Sequence, residues 1–401
     1  MQPRVRSEDA VLRCARVGHG AVSWVAAALA LAGLATGCAP TTPAPRPAAP
    51  ATAPAASAAS ATQPGAAASA PTAAPASPVP RAAPPGPPVT ARITDIQITS
   101  AAGSYIAAEK GYFAEEGIQA EFVPVGTADQ VPAIVSGSAD AAGAAINVFL
   151  YNAFARGLPV KIVADHGANL KDASAGGWAV RKDLVDSGAY QGPASVRGWK
   201  VALGNAGSTP DIALDRFLQT GGLRYEDVDL TILNFPDQIP AFANKVIDAA
   251  YWQEPFTTIA VERGLVVRGP IGYDVYPNQQ IAGVLFGDKL LGDRQAGIRF
   301  LRAYTRGVRD YVKAMLDRDP TLFEQVVPIL IEHTTVKDRA LFEKAIPSGL
   351  KADPIPNVQS MIDDQEWFIA HGFVSQRVNV PDFVDLSLIE EAIRQLGSAG
   401  R

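Results

Sequence analysis

Asp237-Gln-Ile-Pro-Ala-Phe242, with Asp248-Ala-Ala-Tyr-Trp-Gln-Glu-Pro-Phe256 after it, is written twice in this chain. Asp129-Gln-Val-Pro-Ala-Ile134 and Asp140-Ala-Ala142 stand 108 residues upstream of their counterparts. A second echo precedes each copy, Ala102-Gly-Ser104 and Ala206-Gly-Ser208, offset by 104 residues. A longer loop around Gly221–Glu226 in the second copy accounts for the difference. Two copies of a strand–loop–helix–strand–helix–strand unit predict two like lobes, and two like lobes predict one ligand held between them.

Outward from the repeat, strands and helices alternate. In the first copy the spacing predicts strands over Ile93–Thr99, Ala120–Val125, Ala139–Ala145 and Val160–Ala164. Helices are expected over Tyr105–Lys110, Ala128–Ser136 and Val148–Arg156, with Asn147 suited to cap the last of them. Trp178–Arg181 reads as a further strand. The second copy predicts strands Lys200–Leu203, Asp229–Asn234 and Ile247–Tyr251, and helices Pro210–Gln219, Pro236–Asn244 and Thr257–Arg263. This rhythm indicates an α/β fold with a largely parallel sheet in each lobe. No third copy follows Gly272. Ile281–Leu285 reads as a strand, and Phe300, Tyr304, Val308, Tyr311 and Met315 recur at helical spacing. Leu322–Ile331, Lys337–Ala345, Val358–Ala370 and Leu386–Leu396 predict further helices, read as structural packing onto a lobe.

Composition narrows the function. The 401 residues are 48% hydrophobic and carry a net charge of −5, enough chain for a sizeable core. Without the arginine-rich N-terminus the remainder is more acidic still, and no basic run offers itself to nucleic-acid phosphates. The two cysteines, Cys14 and Cys38, and the four histidines form no metal or disulfide pattern. No G-x-S-x-G elbow occurs, and Gly204-Asn-Ala-Gly-Ser-Thr209 lacks the lysine of a phosphate loop. No catalytic residue, metal or cofactor is expected, and the protein is read as a non-enzyme.

In open α/β sheets, ligands bind beyond the C-terminal ends of parallel strands, where helix N-termini present free N–H groups. Four loops qualify: Thr99–Tyr105, Gly143–Asn147, Gly204–Thr209 and Tyr251–Pro255. They supply the candidate ligand-binding residues Ser100, Gly103, Ser104, Tyr105, Ala145, Asn147, Asn205, Gly207, Ser208, Thr209, Trp252 and Glu254. Gly103 and Gly207 admit close backbone approach, and Ser104 and Ser208 offer hydroxyls. Several have a second role open to them. Ser208 and Asn147 suit helix caps, Tyr105 and Trp252 suit core packing, and Glu254 suits either a ligand amine or an ion pair. None of the four loops holds Arg or Lys, which disfavours a dianionic ligand.

Residues 1–37 read as an export signal: arginines, an apolar run Ala21–Leu34, then small residues. Leu34-Ala-Thr-Gly-Cys38 resembles a lipoprotein lipobox, although the leucine sits one place early, and Cys38 is the expected lipidation site. An ordinary secretory signal with an incidental cysteine, or a membrane anchor, is the alternative. Residues 38–90, nearly all Ala, Pro, Ser, Thr and Gly, read as a disordered tether to a membrane.

Ala107-Ala-Glu-Lys-Gly-Tyr-Phe-Ala-Glu-Glu-Gly117, Ser136-Gly-Ser-Ala-Asp140, Gly204–Ser208, Trp252-Gln-Glu-Pro-Phe256 and Val384-Asp-Leu-Ser-Leu-Ile-Glu-Glu-Ala392 resemble the ABC-importer substrate-binding proteins for sulfonates, taurine, nitrate, thiamine-type pyrimidines and riboflavin. The resemblance implies a type II periplasmic-binding fold. Lobe 1 would comprise 91–185, lobe 2 would comprise 186–270, and 271–401 would return to lobe 1, with crossing segments near 182–199 and 264–278. It further implies a monomer that closes on a small ligand outside the cytoplasm and delivers it to a permease with its ATPase. The alternatives are a sensor that signals through a membrane receptor and a pyrimidine-metabolism enzyme on the same fold. The latter carries a cysteine cluster that this chain lacks.

Overall fold

The computed structural model describes residues 86–174 and 176–399. The expected signal, Cys38 and nearly all of the expected tether lie outside the described residues. Ten strands form two sheets of five among the described residues. They are β1 Val89–Asp95, β2 Ile118–Pro124, β3 Ala141–Ala145, β4 Lys161–Ala168, β5 Gly176–Arg181, β6 Lys200–Leu203, β7 Asp229–Ile232, β8 Ala249–Gln253, β9 Val266–Ile271 and β10 Gln280–Phe286. The first sheet runs β2-β1-β3-β10-β4 and the second β7-β6-β8-β5-β9.

The repeat is a repeat of structure. β1 pairs in parallel with β2 and β3, as β6 does with β7 and β8. Ile93 faces Ala141 in one lobe and Val201 faces Ala249 in the other, the same register displaced by the sequence offset. The repeated aspartates explain why that register holds. Asp140 accepts the Arg92 N–H at 2.9 Å, and Asp248 accepts the Lys200 N–H at 2.9 Å. Asp140 thereby fastens the start of β3 to the middle of β1, and Asp248 the start of β8 to the start of β6.

The fourth strand of each sheet comes from the other half of the chain. β5 pairs antiparallel with β8, and β10 pairs antiparallel with β3. The chain therefore leaves the first sheet after β4, at 169–174, and returns to it at 272–279. This shifts the expected boundaries: Trp178–Arg181 belongs to lobe 2, so the first crossing precedes 182–199, while the return falls in the C-terminal half of the expected 264–278. β1 also begins and ends four residues earlier than expected, because it pairs with β2 from Val89↔Ile118 to Asp95↔Pro124.

Beyond β10, the helix Arg294–Tyr311 buries Phe300, Tyr304, Val308 and Tyr311, as their spacing predicts. It lies against the helix Ala102–Glu109 at a contact made of glycines. A methyl group on Gly103 would stand 2.5 Å from Val308, and one on Gly307 would stand 2.1 Å from the Gly103 carbonyl oxygen. Leu388, Ile389, Ala392 and Ile393 of the helix Leu386–Leu396 complete this core. The helix Val358–Ala370 packs beside β3 and the helix Val148–Ala155.

Candidate functional site

Between the two sheets lies a cleft with an inner cavity of about 150 Å³ and an outer chamber of about 470 Å³. Lobe 1 contributes Ile96, Ile98, Ser100, Thr127 and Ala145, and lobe 2 contributes Asn205, Ser208, Phe235, Trp252 and Gln253. Asn169 and Gln279, one on each crossing segment, line its base. The inner cavity is within the size that holds a single ring, and the chamber brings the cleft into the ordinary range of small-molecule pockets.

The lobes touch on both flanks of this cleft. The Val148 N–H donates to the Gly207 carbonyl at 3.0 Å, and the Trp367 indole donates to Asp215 at 2.8 Å. Lys344 pairs with Glu262 on the opposite flank. These contacts describe a closed arrangement.

Of the residues singled out in the sequence, Ser100, Ala145, Asn205, Ser208, Thr209 and Trp252 line the inner cavity, and Glu254 lines the outer chamber. Trp252 does so from within the core. It is fully buried, its indole donates to the Phe235 carbonyl at 3.2 Å, and its ring lies 5.2 Å from Phe242. Asn147 caps the helix after it, accepting the Leu150 N–H at 3.1 Å, and bridges to Ser208 across the lobes. Gly207, at φ 72°, precedes Ser208 and accepts the Val148 N–H beside that bridge.

Gly103, Ser104 and Tyr105 are placed elsewhere. All three are buried on the helix Ala102–Glu109, and none lines the cleft. Gly103 serves the helix contact described above. Tyr105 stacks on His333 at 4.8 Å and packs on Phe122 at 5.0 Å. The loop Thr99–Tyr105 divides because a short 3-10 turn, Thr99–Ala101, precedes the helix and carries the Gly-Ser pair past the cleft.

Charge in the cleft is committed within the chain. Glu254 pairs with Arg268 and accepts from the Thr258 hydroxyl at 2.7 Å. This pair lies inside lobe 2, so the carboxylate expected to meet a ligand amine already has its counter-ion. His166 sits with Nδ1 3.3 Å from the Tyr304 hydroxyl and Nε2 3.6 Å from Asp95. The helix Thr209–Gln219 points its N-terminus at the cavity, yet Asp211 holds that end. Its Oδ2 accepts from the Ser208 N–H at 2.9 Å and from the Ser208 hydroxyl at 3.0 Å. Burial pushes the Asp211 carboxyl above its ordinary range, against hydrogen bonds from Tyr225 and Ser208 that pull it down.

The sequence reading missed Thr127, Asn169, Phe235, Gln253 and Gln279. Gln253 lies between Trp252 and Glu254, two more conspicuous residues. Asn169 and Gln279 carry no local signal, because the misplaced crossings hid them.

The crossing segments meet at a buried polar chain under the cleft. Ser174 donates to Asn169 at 2.7 Å, Asn169 to Gln279 at 3.2 Å, and Gln279 to Asp364 at 3.1 Å. Burial pushes the Asp364 carboxyl up to about 8, opposed by the Gln279 hydrogen bond and the Arg216 charge.

The chain matches the family described as NMT1/THI5 like over residues 98–314. No curated protein matches the sequence. Solved structures similar to it include the periplasmic aliphatic sulphonate binding protein SsuA from Escherichia coli, at 19% identity and TM-score 0.61, covering 74% of this chain and 92% of that one. The periplasmic nitrate-binding protein NrtA from Synechocystis PCC 6803 is similar at 18% identity and TM-score 0.61, covering 77% and 89%. The desulfurization enzyme DSZB is similar at 13% identity and TM-score 0.55, covering 77% and 99%. At these identities the likeness is one of fold, the two-lobed type II periplasmic-binding fold. With more than half of its length matched by the family, the chain belongs to the NMT1/THI5-like family.

Proposed function

We propose that this protein is a solute-binding protein that closes two lobes around a small molecule, outside the cytoplasm, and hands it to an ABC permease driven by its ATPase. The observation that carries the reading is the cleft itself, lined from both lobes and both crossing segments. Ligand closure by such a device needs polar groups free to bind, and the cleft has them. Ser100, Thr127, Asn205 and Gln253 line it and make no side-chain hydrogen bond among the described residues. Binding proteins for sulphonate and nitrate share the fold. Lipid attachment at Cys38, ahead of an Ala/Pro-rich tether, would keep the protein beside its permease as a monomer.

The test is a thermal-shift panel of taurine, alkyl sulfonates, nitrate, hydroxymethylpyrimidine, thiamine and riboflavin on the purified protein. A ligand at a hundred times its Kd stabilises the fold by about 2.7 kcal/mol. At least one compound is expected to raise Tm by several degrees, and to lose most of that effect in Gln253→Ala. A panel that leaves Tm unmoved, with every compound saturating for a micromolar site, contradicts the reading.

A further inference from the structure

The electrostatics of the cleft restrict what it can hold. Among the described residues lining either chamber, His166 and Glu254 are the ones with imidazole or carboxylate side chains, and each faces a charged partner. Glu254 is neutralised by Arg268, and His166 lies against Asp95. Among the described residues, no Lys or Arg lines either chamber.

Backbone donors make up only part of the deficit, because the two helix starts that face the cleft have donors already engaged within the chain. In lobe 2, the Asp211 oxygen occupies the Ser208 N–H and hydroxyl at the head of the helix Thr209–Gln219. In lobe 1, the helix Val148–Ala155 spends its Val148 N–H on Gly207 and its Leu150 N–H on Asn147. An anion entering the cleft would find no opposing cation in the lining, and only neutral donors would offset the loss of its hydration.

What remains is neutral and two-sided. Ile96, Ile98 and Ile281 form an aliphatic wall on the lobe 1 side, and Phe235, Tyr251 and Trp252 form an aromatic wall on the lobe 2 side. Around them stand the unpaired Ser100 and Thr127 hydroxyls and the Asn205 and Gln253 amides, each able both to donate and to accept.

We infer that the cleft takes an uncharged, flat, largely apolar small molecule with one neutral donor–acceptor edge, such as a primary amide, and that it rejects sulfonate and nitrate. This rests on the solute-binding reading and narrows it.

The test uses three probes of one benzene ring and one polar substituent, different in charge: benzamide, benzenesulfonate and benzamidinium. Thermal shift is read at millimolar probe on the intact protein at low salt. Benzamide is expected to raise Tm more than either ion. Gln253→Ala and Asn205→Ala are each expected to weaken it about fivefold, as loss of one neutral hydrogen bond does. Each variant is first melted without probe to show that it folds. A benzenesulfonate or benzamidinium shift equal to or larger than that of benzamide overturns the inference. So does silence from all three, because benzamide is the smallest molecule that meets the stated criteria. The two readings fail separately. An anion from the wider panel whose effect is lost in Gln253→Ala would uphold solute binding and overturn this inference.

Discussion

The two copies of the repeat agree where they build sheets and part where they face the cleft. Asp140 and Asp248 do the same work at the same register. The Gly-Ser pairs do not. Gly103-Ser104 is buried in a helix contact behind the cleft, while Gly207-Ser208 stands at its edge and bridges the lobes. Beside them, lobe 1 offers isoleucines and lobe 2 offers aromatic rings. Residues that a duplicated fold keeps in both halves are those that both halves need to fold. The ligand surface is asymmetric, so it is found where the copies differ.

The aspartate clamps give the sharpest way to break this comparison. The Asp140 side chain is 2% exposed and also meets Arg92 and Lys289, whereas Asp248 is 25% exposed. Asp140→Ala is expected to cost about 3 kcal/mol by urea denaturation, and Asp248→Ala about 1 kcal/mol. Equal losses would mean that burial does not separate the two. Burial pushes the Asp140 carboxyl up, but hydrogen bonds from Arg92 and Lys289 outweigh it and hold it below its ordinary value. A depressed carboxyl contributes stability that is present above its unfolded pKa, near 4, and lost as pH falls through the folded value. The gap between wild type and Asp140→Ala should therefore narrow in acid.

The glycines come next. Gly103→Ala would drive a methyl group into Val308 and is expected to cost about 2 kcal/mol while leaving any ligand-induced Tm shift intact.

The seam between the lobes has its own signature in pH. Asp364 faces Gln279 and Tyr276 from the crossing segment, Arg216 from lobe 2, and Asp363 and Tyr151 from lobe 1. Its folded pKa is raised, so its contribution is fully present below about 4 and lost as pH rises through about 8. Relative to wild type, Asp364→Asn should be roughly 2 kcal/mol more stable at pH 8 than at pH 6, measured by urea midpoints. A pH-independent difference would show that the carboxyl is not held neutral.

Gly207→Ala carries the smallest expected loss, about 1 kcal/mol from the left-handed backbone. Its methyl group would lie 2.9 Å from Val148 and prop the lobes apart, so it should reduce a ligand-induced shift that Gly103→Ala spares.

Much of this architecture is legible in the residues. β6, the helices Val358–Ala370 and Leu386–Leu396, and the Asn147 cap fall where their patterning puts them. The crossings are not legible, because Trp178–Arg181 has the same strand pattern whichever sheet it joins. Only the pairing of β5 with β8 and β9 decides it. The cleft residues divide in the same way. Loop ends such as Asn205 and Ser208 follow from strand order. Asn169 and Gln279 depend on how the chain crosses, and Trp252 and Glu254 depend on partners, Phe235 and Arg268, distant in sequence.

Lobe closure on a solute is the claim on which the account depends, and a distance across the cleft tests it most directly. Glu121 on β2 and Asp229 on β7 are exposed, equivalent positions on the outer strands of the two sheets. With both replaced by cysteine, and Cys14 and Cys38 by serine, spin labels report the separation of the lobes. The account predicts a broad distance distribution for the free protein. It should collapse to one short distance with the compound that raises Tm most. An unchanged distribution under that same compound would contradict closure.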